Sequence, residues 1–487
     1  MNDKANRQPR QLSILFMTEM WERYGYYTMR GILVLYMTKV FLFSDTRAYT
    51  TFAAFTALVY LTPLFGGWIA DRFLGFRRSV VLGGVLLAAG YGLLSLPGQG
   101  LVFQLALGTI IVGNGFFKPN VSSLVGQLYG KNDPRREGGF TIFYAGINVG
   151  SLIPPLITGW VIIQFGWHIA FLMAAVGVLM GTVVFFFGLR KHPELGGPPD
   201  TGQTPAVRLG NYLLISVGTL AAIYLFAELV KNTDLTNILL FVLGGLFLAY
   251  SFSRSFSYRD IRRERLIAVH ILILFSIVFW ALYQQAGMSL TIFTEFNVGR
   301  EEGGWTIPTV MFQSINPLFI ILLGPFLSKL WIRLDRTGWN PSIPAKFAWG
   351  TILMGLGFVI LPLAIQFDDA AGKINLWWVV VSYFLQTMGE LFISPVGLSM
   401  ITKLSPKKMM GLMMGVWFFA SALANALAGL IAEWTTIPSG SNDPLITDQP
   451  FSHVFGIIGW VALGVGVIFL FFAPILKRLI DDAPQKR

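Results

Sequence analysis

Apolar residues run through this chain in blocks of about 20, each long enough to cross roughly 30 Å of hydrocarbon as a helix. Short polar breaks between the blocks predict fourteen spanning helices, at 13–38, 48–71, 79–96, 101–126, 138–165, 168–189, 209–230, 235–253, 267–293, 305–328, 347–367, 374–401, 409–434 and 452–476. The first block departs from the pattern. Glu19, Glu22, Arg23, Tyr26, Tyr27 and Arg30 recur in it at offsets of 3, 4, 7, 8 and 11 from Glu19. At about 100° per residue they share an arc of roughly 140°, while residues 14–17 and 32–35 are apolar. A charge at the centre of a bilayer costs about 2.5–3.5 kcal/mol on an insertion scale, so four on lipid would cost roughly 10 kcal/mol or more. The stripe must face other helices or a water-filled cavity. This helix lines a path.

Composition agrees. Of 487 residues, 54% are hydrophobic and only 13% charged, where a soluble protein carries about a quarter. The expectation is an all-α polytopic membrane protein. The net charge of +11 does not imply a nucleic-acid partner. With both termini in the cytoplasm, five basic residues fall in outside loops (Lys39, Arg47, Lys231, Arg300, Lys373) and three within helices (Arg23, Arg30, Lys118). The remaining 28 of the 36 lie on the cytoplasmic side, as the positive-inside rule requires. The basic segment 1–11 lacks a small-residue cleavage site and reads as a retained cytoplasmic tail.

Enzyme chemistry finds little purchase. Without cysteine there is no disulfide, thiolate metal site or thiol nucleophile. His168, His192, His270 and His453 are expected at helix ends or in loops, too scattered to ligate a metal. The phosphate-loop lysine motif is missing, which argues against ATP-driven transport. Glu19 and Glu22 are the one candidate carboxylate dyad, and Arg23 beside them points to charge balance instead.

Along the chain, 1–190 reads as a six-helix bundle and 191–208, with Gly196, Gly197, Pro198 and Pro199, as a linker. A two-helix hairpin at 209–253 carries Glu228 as its one interior charge. A basic linker at 254–266 leads to a second six-helix bundle at 267–487. The bundles echo each other. Asp71-Arg72 precedes Gly75 after the second helix, and Asp335-Arg336 precedes Gly338 at the matching place in the second half. An ordinary charged loop is the plainer alternative for Asp71-Arg72, but its repetition favours a hinge between helix ends. Repeated halves with a site at their interface are the architecture of many secondary transporters.

Few other ionisable residues fall inside helices. Lys118 lies in Gly113-Asn114-Gly115-Phe116-Phe117-Lys118-Pro119-Asn120 of the first half. Glu390 lies in the second half, with Ser394 one turn on and Pro395 after it. A pair that bridges the halves when empty and opens for ligand charges suits a two-state element, and a static ion pair is the plainer alternative. Asn148 and Asn316, amides at mid-helix depth, suit interhelical hydrogen bonds as well as ligand contact. Trp280, Trp417 and Tyr60 suit pocket walls or ordinary packing.

Glu19-x-x-Glu22-Arg23-Tyr24-x-Tyr26-Tyr27 resembles the ExxERFxYY signature of proton-dependent oligopeptide transporters, within the major facilitator superfamily. Lys118-Pro119-Asn120, Phe143-Tyr144-x-x-Ile147-Asn148-x-Gly150, Glu390 with Ser394, and Trp417 extend the match over both halves. Twelve core helices plus a two-helix insertion is the bacterial form of that family. The resemblance implies symport of di- and tripeptides with protons, with no cofactor beyond the coupling proton. It also implies a bacterial inner membrane location and a chain acting as a monomer among lipids.

By the same resemblance, Arg30 and Lys118 would meet the peptide carboxylate, and Asn148, Asn316 and Glu390 its amino terminus. Tyr26, Tyr27, Tyr60, Trp280, Trp417 and Ser394 would shape side-chain pockets. Glu19, Glu22, Arg23, Lys118 and Glu390 would couple protons. One position departs from the family: a glutamate usual four residues after the tryptophan is Gln284 here, followed by Gln285. A neutral amide releases no proton in the physiological range, and Glu295, eleven residues on, is a candidate substitute. A carrier of nitrate or of a modified peptide on the same scaffold, and a non-transporting peptide receptor, are the competing readings.

Overall fold

The computed structural model describes residues 8–130, 133–192, 194–197, 204–436 and 441–481. The tail before residue 8 and the Pro198 and Pro199 pair lie outside these. Among the described residues the secondary structure is helical apart from two two-residue ladders, because hydrocarbon leaves every backbone group to be satisfied within a helix. Thirteen helical stretches among the described residues are long and apolar enough to cross a membrane. The fourteenth, α1 (Gln11–Lys39), is long enough at 29 residues but carries the four charges of the stripe. The chain divides into two compact units, Met1–Phe41 with Ala54–Thr236, and Leu42–Ala53 with Asn237–Arg487.

The first unit continues with α2 (Asp45–Leu61), whose first half belongs to the second unit, and α3 (Pro63–Ile69), prolonged by a π-turn at Ala70–Leu74. Then follow α4 (Phe76–Leu94), α5 (Leu101–Gln127), α6 (Arg136–Phe165), α7 (Trp167–Gly188) and α8 (Pro205–Lys231). Helix α1 packs on α6 and α7, and α5 on α3, α4 and α8. Gly150 of α6 allows the first contact: a Cβ there would collide with the Met20 carbonyl and come within 2.8 Å of Arg23 Cβ.

Helix α5 runs unbroken through Pro119, where the missing N–H removes the partner of the Gly115 carbonyl. That carbonyl lies against Gly66 of α3, where a Cβ would overlap it and sit 2.8 Å from Phe116 N. Thr62 Oγ1 donates to Ile111 O at 2.9 Å and Asn114 Nδ2 to Val59 O at 2.9 Å, stitching the same face. Gly66→Ala is therefore expected to cost about 1–3 kcal/mol or more by overpacking. It should lower the Tm in detergent, and an unchanged Tm contradicts the close packing.

The second unit contains α9 (Thr233–Ser255) from Asn237 onward, then α10 (Ile261–Tyr283), α11 (Ser289–Phe296), β1 (Val298–Gly299), β2 (Glu301–Glu302) and β3 (Trp305–Thr306). It continues with α12 (Ile315–Thr337), α13 (Ile343–Ile365), β4 (Ile374–Asn375), α14 (Leu376–Leu404), α15 (Met410–Glu433) and α16 (Pro444–Ile480). Strand β1 pairs in parallel with β4, and β2 antiparallel with β3. Helix α13 packs on α14 and α16, α10 on α15, and α12 on α14.

Two helices expected to be continuous are not. The stretch expected at 267–293 is α10, a tight 3₁₀ turn at Gln284–Gly287, then α11. Gln285, fully buried, repairs the break. Its Nε2 donates to Ala281 O (3.3 Å) and Ala428 O (2.9 Å), and its Oε1 accepts from the Ser289 hydroxyl at 2.6 Å. The helix expected from 305 begins later: Gly303 and Gly304 turn the β2–β3 hairpin, Pro308 is extended, and a 3₁₀ stretch at Thr309–Ser314 precedes α12.

Two histidines are also deeper in helices than expected. His270 is buried within α10, and His453 lies within α16. The repeated Asp-Arg pairs both end in a glycine of positive φ, Gly75 at 76° and Gly338 at 74°. The first repeat's extra residue is absorbed by the π-turn, closed by Gly75 N to Ala70 O at 2.8 Å. Asp71 and Arg72 are thus part of a helical turn and not of a loop.

Candidate functional site

In the first unit the stripe of α1 folds into a buried network. Glu19, Glu22 and Arg23 are 3%, 1% and 5% exposed. The Arg23 guanidinium is bidentate on Glu22, Nη2 donating to Oε1 at 2.6 Å and Nε to Oε2, and Glu19 Oε1 stands 3.6 Å from Nε. So the two carboxylates share one cation, as Arg23's position suggests, and do not form a hydrolytic dyad. Glu19 Oε2 is buried with no hydrogen-bond partner among the described residues. The guanidinium also lies 4.8 Å from the Tyr26 ring centroid, and Tyr26 meets Tyr27 edge-on at 5.5 Å. One helical periodicity places the ion pair and the rings on one face.

Arg30, on the same face, is buried. Lys118 of α5 sits with Nζ 4.8 Å over the Tyr60 ring, within electrostatic range of Glu19. The stitching of α5 to α2 by Thr62 and Asn114 holds that lysine and tyrosine together. Asn148 of α6 is buried beside Gly150, and its Nδ2 donates back to Tyr144 O at 3.0 Å.

In the second unit, three helices meet at Asn316, at the start of α12. Its Nδ2 donates to Glu390 Oε2 at 2.7 Å and to Thr387 Oγ1 at 3.1 Å, both on α14. Its Oδ1 accepts from the Tyr283 hydroxyl of α10 at 3.2 Å. The Thr387 hydroxyl in turn donates to Tyr383 O at 2.7 Å. Glu390 is thus an acidic side chain, 8% exposed, held by a neutral amide. Trp280 packs edge-on to Tyr283, with ring centroids 5.2 Å apart.

Ser394 is half-buried one turn along α14 from Glu390, and Trp417 of α15 lies so close over Gly397 that a Cβ there would strike its ring. Gln284 is buried in the 3₁₀ turn. Glu295 is already engaged: it pairs with Arg300 at 3.3 Å and accepts from the Thr309 hydroxyl. That pairing ties the loop before α12 to the end of α11.

Tyr283 and Thr387 were not singled out from sequence. A signal existed: each lies three residues from a singled-out side chain, Trp280 and Glu390, and i, i+3 positions share a helix face. Among the described residues no group of three or more His, Cys, Asp or Glu side chains could hold a metal.

A family model described as POT family matches residues 77–449. The chain is 37% identical to dipeptide and tripeptide permease B of Salmonella typhimurium strain LT2, over 98% of this chain and 97% of that one. It is 36% identical to dipeptide and tripeptide permease A of Escherichia coli strain K12, over 99% and 96%. Among solved structures it resembles a peptide transporter POT in complex with sulfate, with a TM-score of 0.85, 35% identity, and coverage of 97% and 96%. A mutant peptide transporter POT in complex with alafosfalin gives a TM-score of 0.86 at the same identity and coverage. Matched by the family's model over most of its length and by permeases end to end, this chain belongs to the POT family, a family of transporters and not of enzymes.

Proposed function

We propose that this protein is a proton-coupled symporter that imports di- and tripeptides by alternating access across a bacterial inner membrane, with both termini in the cytoplasm. The relatives are dipeptide and tripeptide permeases, and one solved neighbour is described as bound to alafosfalin. The observation that carries the reading is the chemical contrast between the units. One holds the buried cations Arg23 and Arg30 and the half-buried Lys118 among carboxylates and tyrosines, and the other holds Glu390 on an amide and two hydroxyl-bearing neighbours.

A zwitterion needs separated cationic and anionic partners in a medium of low dielectric. In this reading Arg30 and Lys118 take the peptide carboxylate, and Glu390, Asn316 and Asn148 take its amino group. Tyr26, Tyr27, Tyr60, Trp280, Trp417 and Ser394 border the side chains. Recognition by the ends of the peptide tolerates varied residues between them. Glu19, Glu22 and Arg23 carry the proton response, and Glu19 Oε2, lacking a partner, is the network's vacant seat for a proton. Residues 1–190 and 267–487 are the two bodies that move, with 209–253 inserted between them in sequence. With Gln284 in place of a carboxylate, no proton step runs through that position.

Counterflow of a radiolabelled dipeptide tests the substrate claim. Unlabelled di- and tripeptides are expected to compete, whereas free amino acids, nitrate, N-acetylated and C-amidated dipeptides compete at least tenfold more weakly. Equal competition by nitrate would replace the peptide reading with that of an anion carrier, and absence of counterflow would favour a receptor.

A further inference from the structure

The turn joining α9 to α10 gathers positive charge on a rigid frame. Ser251 and Ser255 of α9 are fully buried. Ser251 Oγ lies 2.8 Å from Nε2 of His270 on α10, and His270 Nδ1 is 2.7 Å from Leu266 O. A carbonyl can only accept, so Nδ1 carries a proton there. This polar joint fixes the two helix ends together. Beyond it the backbone closes tightly, with Ser257 N to Arg254 O at 3.2 Å, and Asp260 caps α10 by accepting from Arg262 N at 3.1 Å.

Residues 254–265 hold five arginines against Asp260 and Glu264, a net of three positive charges. Asp260 is taken by Arg262 at 2.6 Å, and Arg265 Nε donates to Ile480 O at 3.0 Å. The side chains of Arg254, Arg259 and Arg263 make no hydrogen bond or ion pair among the described residues, and Arg254 and Arg259 are exposed. Three guanidinium groups therefore stand without an acceptor on a turn whose backbone is fixed.

The rings beside them identify the partner. Phe252 and Phe256 are 39% and 55% exposed and touch edge-on at 5.4 Å, and Tyr258 lies under the Arg262 guanidinium at 5.1 Å. Aromatic side chains mixed with arginine at the end of a spanning helix are the composition of the headgroup layer. A soluble acidic protein would match the arginines and leave the phenylalanines in water. Bilayer lipid matches both.

We propose that this turn is a binding surface for the headgroups of anionic phospholipids. The phosphodiester lies against Arg254, Arg259 and Arg263, whose forked donors fit phosphate oxygens, and the acyl chains lie on Phe252 and Phe256. The surface is separate from the peptide site and does not depend on the transport reading.

The test is thermal unfolding of the delipidated full-length chain in neutral detergent, titrated with phosphatidylglycerol or phosphatidylcholine. Phosphatidylglycerol is expected to raise the Tm and phosphatidylcholine not to. In R254Q/R259Q/R263Q the phosphatidylglycerol midpoint should move up about a hundredfold, the factor expected for three basic residues at a membrane surface. The variant with lysine at all three positions should keep most of the response, which separates charge from misfolding. An unchanged midpoint in the glutamine variant, or an equal Tm rise with phosphatidylcholine, overturns the proposal. If inorganic phosphate alone reproduces the shift, the surface takes a soluble anion and the lipid assignment fails.

Discussion

Glu22→Gln is expected to reduce gradient-driven dipeptide accumulation to background while leaving counterflow measurable. Gln keeps the volume of the side chain and one acceptor oxygen for Arg23, but it can neither carry the charge nor release a proton. Removing one partner of a buried ion pair costs about 3–5 kcal/mol. Here Glu19 Oε1, already 3.6 Å from Arg23 Nε, remains to balance the guanidinium. The folding cost should therefore fall at or below the low end of that range, and the variant should still insert and fold. Counterflow needs only the cycle of the loaded carrier, so it isolates proton coupling from substrate handling. Equal loss of both activities would mean that Glu22 serves the peptide step too.

The second large effect is expected at Glu390. Glu390→Gln removes the one charge on α14 that this account gives to the peptide amino group, while its amide oxygen can still accept from Asn316 Nδ2, now at 2.7 Å from the carboxylate. Losing one partner of a buried charged contact costs about 2–5 kcal/mol, so dipeptide affinity should fall roughly thirty-fold to several thousand-fold. Binding of an N-acetylated dipeptide, weak from the start, should change little. Equilibrium binding to the purified variant measures both, and an unaltered dipeptide affinity would remove Glu390 from the site.

The stripe on α1 was readable because helical periodicity alone brings Glu19, Glu22, Arg23 and Tyr26 to one face, and the contacts they make with one another are local. The Glu390–Asn316 bond joins residues 74 positions apart, and no periodicity reports a partner on another helix. Tyr283 and Thr387 were missed for the same reason, despite lying one turn from Trp280 and Glu390. The break after Tyr283 was hidden because 284–287 interrupt an otherwise apolar run with amides that hydropathy averages away. Only Gly287 hinted at it, and the side-chain repair by Gln285 depends on Ala428 of a distant helix. The contacts of Glu295 with Arg300 and Thr309 were hidden because they form through a loop whose fold sequence spacing does not reveal.

Peptide movement tied to protons is the central property of the proposed transport cycle, and proteoliposomes reconstituted with the purified chain measure it most directly. Radiolabelled dipeptide should concentrate inside when the outside is made acidic, and a protonophore should collapse the accumulation to simple equilibration. Uptake that proceeds equally with and without the pH gradient, and is untouched by the protonophore, would contradict it.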